Sequence, residues 1–319
     1  MTRAKRVLVT GAGGFIGRWS VAPLLAKGYE VHAVVSRSSN RPTPTELRGA
    51  TVQAADLLDH AAIDALLERV APSHLLHFAW IATPGIYWQS ADNVRWQEAS
   101  GYLLRRFKAG GAVRAVMAGS CAEYDWAKGG VCIEGVTPLA DESGAALIPY
   151  VAAKIAMQKH LAEFGREASL STAWGRIFFQ FGPHEHEKRL VPSVVRHLLM
   201  NQEALCTHGQ QVRSFLHVAD VGAAFAQLLD SSAQGPINIG SGERISLAEL
   251  IERIADKIGH AHLVRLGARA TATDEPPLLV PDIERLRDEV HFNPRYSLDE
   301  AIDDTIAWWR GELDRRDEL

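Results

Sequence analysis

Short β-branched runs alternate with longer amphipathic stretches through the first half of the chain. Strands are predicted near 5–10, 30–36, 51–54, 73–79, 112–119 and 170–177, and helices near 15–27, 59–70, 90–108 and 147–167. The run Ala115-Val116-Met117-Ala118 is apolar at every position, as suits a strand buried on both faces of a parallel sheet. Arg114 before it is expected at the start of that strand, near solvent. Alternation of this kind builds a doubly wound α/β sheet. Beyond about position 178 the pattern loosens, and helices are predicted at 191–201, 218–230, 246–259 and 298–311, separated by Gly and Pro. The chain reads as a sheet-forming domain over 1–178, to which 217–240 returns, and a smaller region over 179–319 that caps the carboxyl ends of the strands.

Composition narrows this little. The 319 residues suffice for one large or two unequal units, and the apolar (47%) and charged (23%) fractions are ordinary. A net charge of −4 gives no general attraction to nucleic acid or an anionic membrane. Phosphate recognition must then come from locally placed Arg and backbone amides. No apolar stretch approaches the roughly 20 residues of a membrane span, and the amino terminus does not read as a signal peptide. Cys121, Cys132 and Cys206 form neither a metal spacing nor an even disulfide framework, so a reducing, cytoplasmic compartment is expected. The final Arg316-Asp317-Glu318-Leu319 is read as a solvated end rather than a retention tail.

The first strand runs into Thr10-Gly11-Ala12-Gly13-Gly14-Phe15-Ile16-Gly17. Gly11, Gly14 and Gly17 give G-x-x-G-x-x-G between a strand and a helix, the context of a dinucleotide-binding turn. Glycine lets backbone N–H groups approach a pyrophosphate, and the helix start meets that anion with unpaired donors and a positive dipole end. At the end of the second strand an NAD site usually places an acid for the ribose hydroxyls. Val35 and Ser36 stand there instead, followed by Arg37, Ser38 and Ser39, which suit a 2′-phosphate. NADP(H) is favoured, with NAD as the alternative.

Tyr150 and Lys154 lie four residues apart, on one face of a predicted helix. A phenol needs help to act as an acid/base near neutrality, and a cation one turn away favours the phenolate. Ser120 is placed at the carboxyl end of the buried strand, where ligands sit in such sheets.

With these residues the chain resembles the extended short-chain dehydrogenase/reductase family of nucleotide-sugar epimerases, dehydratases and reductases. The resemblance covers nearly the whole chain. Thr10 through Gly17, Ser120, Tyr150 and Lys154 carry it. Further matches are Asp56-Leu57, His77-Phe78-Ala79, Arg176 through Pro183 (the family's R-x-F-N-x-Y-G-P), Leu190-Val191-Pro192, Gly209 through Asp220, and Asn238-Ile239-Gly240-Ser241-Gly242. It implies a Rossmann-like fold in which Tyr150 exchanges a proton with the sugar oxygen, Ser120 holds that oxygen, and Lys154 bonds the nicotinamide ribose and lowers the phenol's pKa. Gly11, Gly14, Phe15, Ile16, Gly17, Ser36, Arg37, Ser38, Asp56, Leu57, Phe78 and Ala79, with Tyr150 and Lys154, are the implied cofactor contacts. Tyr87, Cys121, Ala122, Phe179, Val191 and Arg213 fall on the substrate side, Arg213 toward the nucleotide diphosphate. The helices at 90–108 and 147–167 are those through which the family forms homodimers; ordinary packing against the sheet is the alternative.

Three departures narrow the expected activity. Dehydratases of the family carry an acid pair, or a variant ending in Glu, directly after the Ser/Thr; here Cys121 and Ala122 follow Ser120 and Glu123 comes one place late. Phe179 stands where the family has Asn. The acid after the second strand is missing. Together they point to an NADP(H)-dependent reductase of a nucleotide-activated 4-keto-6-deoxy sugar at carbon 4, in deoxysugar and surface-polysaccharide synthesis. A C-4 or C-5 epimerase is the alternative, and a non-catalytic nucleotide sensor a second. Cys121 is read as packing and not as a nucleophile. His184-Glu185-His186-Glu187 lacks further ligands for a metal site. The aromatic loop Trp80 through Trp88 is left between a packing cluster and a surface for sugar stacking on Tyr87 or Trp88, and Trp308-Trp309 is assigned to packing.

Overall fold

In the computed structural model, which describes residues 5–37, 42–142, 147–271 and 275–317, seven parallel strands form the central sheet. They are β1 (Arg6–Thr10), β2 (Glu30–Ser36), β3 (Thr51–Ala55), β4 (His74–His77), β5 (Arg114–Ser120), β6 (Ser171–Ile177) and β7 (Gly235–Ile239), in the spatial order β7-β6-β5-β4-β1-β2-β3. The order reverses between β1 and β4, which opens a crevice at the strands' carboxyl ends.

Alternation along the strands explains the layers. Val7 and Val9 of β1 and Val116 of β5 face one core, with α1 (Val21–Ala26) and α6 (Val218–Asp230). Leu8, Ala115 and Met117 face the other, covered by α2 (His60–Val70), α3 (Asp92–Ala109) and α4 (Pro149–Glu167). Fully burying such a side chain contributes about 1.5–3 kcal/mol. A third core joins α5 (Leu190–Leu199), α7 (Leu247–Ile258) and the long C-terminal helix Leu298–Asp317 through Val195, Leu198, Leu250, Ile254, Ile302 and Trp309. Trp309 is thus packing, and Trp308 lies against the same core.

Two expectations change. The helix after the glycine turn is not continuous: Gly17–Ser20 is a 3-10 turn and the α-helix begins at Val21. Pro23 has no N–H to donate to the carbonyl of Trp19, so the α-helical ladder cannot extend back through that turn. Arg114 is not near solvent. It is buried and donates to Ser171 Oγ (2.5 Å) and to the carbonyls of Leu228 (2.8 Å) and Ala233 (2.7 Å). A cation at the carboxyl end of α6 is favoured there by the helix dipole. Later in the chain, α6 and β7 complete one face and one edge of the sheet.

Candidate active site

Ser120, Tyr150 and Lys154 come together at the carboxyl end of β5. Ser120 ends the strand, and its backbone N–H donates to Glu123 Oε1 (2.7 Å) while its hydroxyl accepts from the Ala122 N–H (3.2 Å). The reciprocal bonds form a capping box on the short turn Cys121–Glu123. Pro149 opens α4, which suits its fixed φ, and so puts Tyr150 in the first turn and Lys154 one turn on. Burial pushes the Tyr150 phenol above its ordinary value, and the nearby Ser120 side chain pulls the other way more weakly. The expected lowering by Lys154 is not met. Its Nζ donates to the Ala118 carbonyl (2.9 Å) and lies 3.9 Å from the centre of the Trp80 ring, but 5.9 Å from that of Tyr150.

Glu123 is fully buried and its carboxylate is occupied. It accepts from Arg176 Nε (2.8 Å), from the Trp174 indole (2.9 and 3.0 Å) and from Ser120 N. A carboxylate so bound has no free face for a substrate proton. Cys121 is also buried, and its thiol is pushed up to about 12, chiefly by burial, which leaves it inert as a nucleophile.

The glycine turn lies between β1 and the segment after β4. Gly11 has φ +67°, and a Cβ on it would stand 2.8 Å from Ala79 N. A Cβ on Gly17 would meet the Gly11 carbonyl at 2.4 Å, and one on Gly14 the same atom at 3.0 Å. This is a backbone cradle that side chains would fill, and it fits a pyrophosphate. Phe15 and Ile16 are half-buried beside it. At the end of β2 the Val35 side chain reaches the turn, 3.3 Å from where a Gly13 Cβ would be, and Ser36 and Arg37 are exposed. Ser38 lies outside the described residues. Asp56 is exposed and accepts from Leu58 N, Leu57 is buried, Ala79 is buried at the crevice floor, and Phe78 stands edge-on to Phe225. All of these follow the carboxyl ends of β1 to β4.

The substrate-side set is more dispersed. Tyr87 is buried with its ring 4.8 Å from that of Tyr150, and Trp88 packs on both. The loop is thus a packing cluster built onto the site itself. Ala122 packs with Val151 and Ile155 of α4, and Val191 lies buried in the third core. Arg213 is buried rather than open, paired with Glu275 (2.8 Å), its guanidinium 5.3 Å from the centre of the Phe179 ring. The four residues suggestive of a metal diverge. His184 bonds Glu46 (2.7 Å), His186 accepts from Lys188 N, and Glu187 pairs with Arg196, while Glu185 keeps a buried oxygen without a partner. No cluster of three potential metal ligands occurs among the described residues.

Sequence reasoning missed three residues. Trp80 sits under Lys154, and fully buried Asn93 accepts from its indole N–H (2.9 Å) and donates to the Tyr87 carbonyl (2.7 Å). Burial pushes Glu185 up to about 8, against the pull of Arg189, whose guanidinium lies 5.8 Å from the centre of the Tyr87 ring. The run of aromatics marked the loop but not which ring would meet the lysine.

The sequence model of the NAD-dependent epimerase/dehydratase family matches residues 7–240. UDP-glucuronic acid decarboxylase 1 of Xenopus tropicalis is 24% identical over 323 residues, 98% of this chain and 74% of that one. A UDP-glucose 4-epimerase of Rhizobium leguminosarum bv. trifolii is 24% identical over 328 residues, 95% of this chain and 96% of the relative. Among solved structures, UDP-glucose 4-epimerase of Thermotoga maritima with UDP-glucose superposes with a TM-score of 0.81 at 20% identity, covering 97% of this chain and 99% of that one.

Proposed function

Because this chain belongs to the NAD-dependent epimerase/dehydratase family, we propose that it is a nucleotide-sugar oxidoreductase that uses NADP(H) to reduce a 4-keto-6-deoxy sugar at carbon 4. The observation that carries the reading is the pairing of an assembled Ser120–Tyr150–Lys154 site with a Glu123 carboxylate held by Arg176 and Trp174. Such a site can pass a proton to an oxygen but lacks, after Ser120, the acid that eliminates water.

A nicotinamide bound in the crevice supplies the hydride. The protein's part is positioning and proton transfer. The Gly11–Gly17 cradle and the helix start behind it receive the pyrophosphate, and Arg37 with Ser36 and Ser38 meets a 2′-phosphate. Ser120 would orient the carbonyl oxygen of the sugar, and the Tyr150 hydroxyl, held protonated by burial, would donate its proton to that oxygen. Lys154 bonds the ribose. By resemblance Tyr87, Cys121, Ala122, Phe179 and Val191 would lie on the sugar-nucleotide side and Arg213 toward its diphosphate, although Val191 is buried in the third core and Arg213 is paired with Glu275. Helices α3 and α4, packed together on one face, form the interface of a homodimer.

Full-length similarity to UDP-glucose 4-epimerases favours a second reading, C-4 epimerisation with the hydride returned to the same sugar. Cofactor extraction from the purified protein, then titration with NADPH and NADH and a panel of 4-keto nucleotide sugars, separates the two. An exchangeable site preferring NADPH, with turnover of a keto sugar, supports the reductase. Stoichiometric NAD that survives purification overturns it in favour of the epimerase.

A further inference from the structure

We propose that Trp80 is a positioning residue for Lys154, its indole face holding the ammonium in the site where a carboxylate holds a lysine in an ordinary buried ion pair. The inference rests on Lys154 belonging to the reacting site proposed above.

Lys154 is 5% exposed, and no carboxylate among the described residues lies within ion-pair distance of it. Among the described residues its Nζ has one hydrogen-bond acceptor, the Ala118 carbonyl at 2.9 Å. Around it stand ring faces: Trp80 at 3.9 Å, Trp174 at 5.7 Å and Tyr150 at 5.9 Å from their centres. Attraction of a cation to an aromatic face is greatest for indole and grows as water is excluded.

The groups that face the amine offer little else. Glu123, in the turn after β5, draws it toward the charged form but is occupied by Arg176 and Trp174. His77 of β4 is pushed down to about 3 by burial and by Lys154, and bonds Thr10 and Ser100 as a neutral ring. Tyr150, one turn earlier on α4, is held protonated. Burial accordingly draws the amine down to about 7. Against that pull the closest ring face, Trp80 at 3.9 Å, favours the charged form.

The indole is itself fixed. Asn93 accepts its N–H with Oδ1, and the same side chain's Nδ2 donates to the carbonyls of Tyr87 and Ser90. Tyr87 and Trp88 then pack on Tyr150, whose backbone N–H donates to the Trp88 carbonyl. One buried amide therefore anchors the supports of both the phenol and the amine.

The test replaces Trp80 alone by tryptophans carrying one to four ring fluorines, which keep the shape and the N–H while draining the face of negative charge. The Lys154 amine is titrated by NMR of its side chain, assigned with Lys154→Arg, in protein without substrate. The midpoint should fall stepwise with fluorine number, by about half a pH unit or more across the series, the scale expected of a desolvated cation–π contact. Trp80→Leu should lower it similarly, and Trp80→Phe should restore part of it. A midpoint that stays constant across the fluorinated series overturns the inference, whatever Trp80→Leu does to folding. Turnover of a keto sugar should lose activity at correspondingly lower pH. A shifted amine with an unshifted rate profile supports the hold of Trp80 on Lys154 and removes Lys154 from the proposed reaction.

Discussion

Glu123→Gln distinguishes a structural carboxylate from a catalytic one. The carboxylate receives the N–H groups of Ser120, Trp174 and Arg176 at 2.7–3.0 Å with no exposed surface. A glutamine presents one oxygen and one NH2. Whichever way it turns, the NH2 abuts a donor, either Ser120 N or Arg176 Nε, and the guanidinium loses its counter-charge. Breaking a buried pair of this kind costs about 3–5 kcal/mol. With an unfolding entropy of about 2.1 cal/mol/K per residue over this chain, that lowers Tm by roughly 5–8 °C. The assay is thermal unfolding together with turnover measured well below the transition. We expect the Tm to fall by that amount while the folded enzyme keeps turnover within about tenfold, since Ser120 keeps its place at the end of β5. Adding Arg176→Met should recover part of the lost stability, because the uncompensated charge goes with it. A Tm within a degree of the parent, with turnover down by about a hundredfold or more, would refute the reasoning and make Glu123 a proton-transfer group.

Tyr150→Phe and Lys154→Met should each lower turnover by about 100-fold or more, with Tyr150→Phe leaving cofactor affinity measured by fluorescence within a few-fold of the parent. Arg37→Ala should erase a preference for NADPH over NADH of about tenfold, roughly 1.4 kcal/mol, without weakening NADH, as read by equilibrium titration. Glu185 titrates at about 8 against an ordinary 4.5, so the folded state binds its proton more tightly than the unfolded chain does. That stability is fully present below about pH 4.5 and is lost as pH rises through 8. Glu185→Gln should therefore flatten the fall of Tm between those limits.

Short, continuously apolar runs such as Ala115 through Ala118 placed the sheet, because a parallel strand buried on both faces has little freedom to look like anything else. The glycine turn was legible for a related reason. At Gly11 and Gly17 a side chain would collide with main chain, so local sequence carries a constraint of three dimensions. Arg114 shows the limit: its partners, Ser171, Leu228 and Ala233, are far along the chain, and no local pattern announces that a helix will end over a strand's first residue. Glu123 was legible as misplaced for elimination, yet its attachment to Trp174 and Arg176 depends on which strand lies beside β5. Arg213 was placed on the substrate side by resemblance alone, and its pairing with Glu275 joins residues that sequence spacing leaves unrelated. Trp80 and Asn93 belong to a loop whose composition announced aromatic packing but not its geometry.

The seam between β6 and the returning α6–β7 segment also bears on how the polypeptide is made. Gly175 of β6 leaves room that Phe225 fills, and Gly222 lets α6 lie against the main chain of Trp19. A nascent chain that has emerged only as far as β6 holds every glycine of the phosphate cradle and both members of the Tyr150–Lys154 pair, yet the part of one sheet face that α6 covers is bare and β6 is an open edge. Until the ribosome has delivered β7, that face is sticky and the edge can recruit foreign strands. The long sequence separation of these contacts also makes closure slow. The cofactor half is therefore not a portable module, and shuffling it between relatives at position 178 would sever its own last strand.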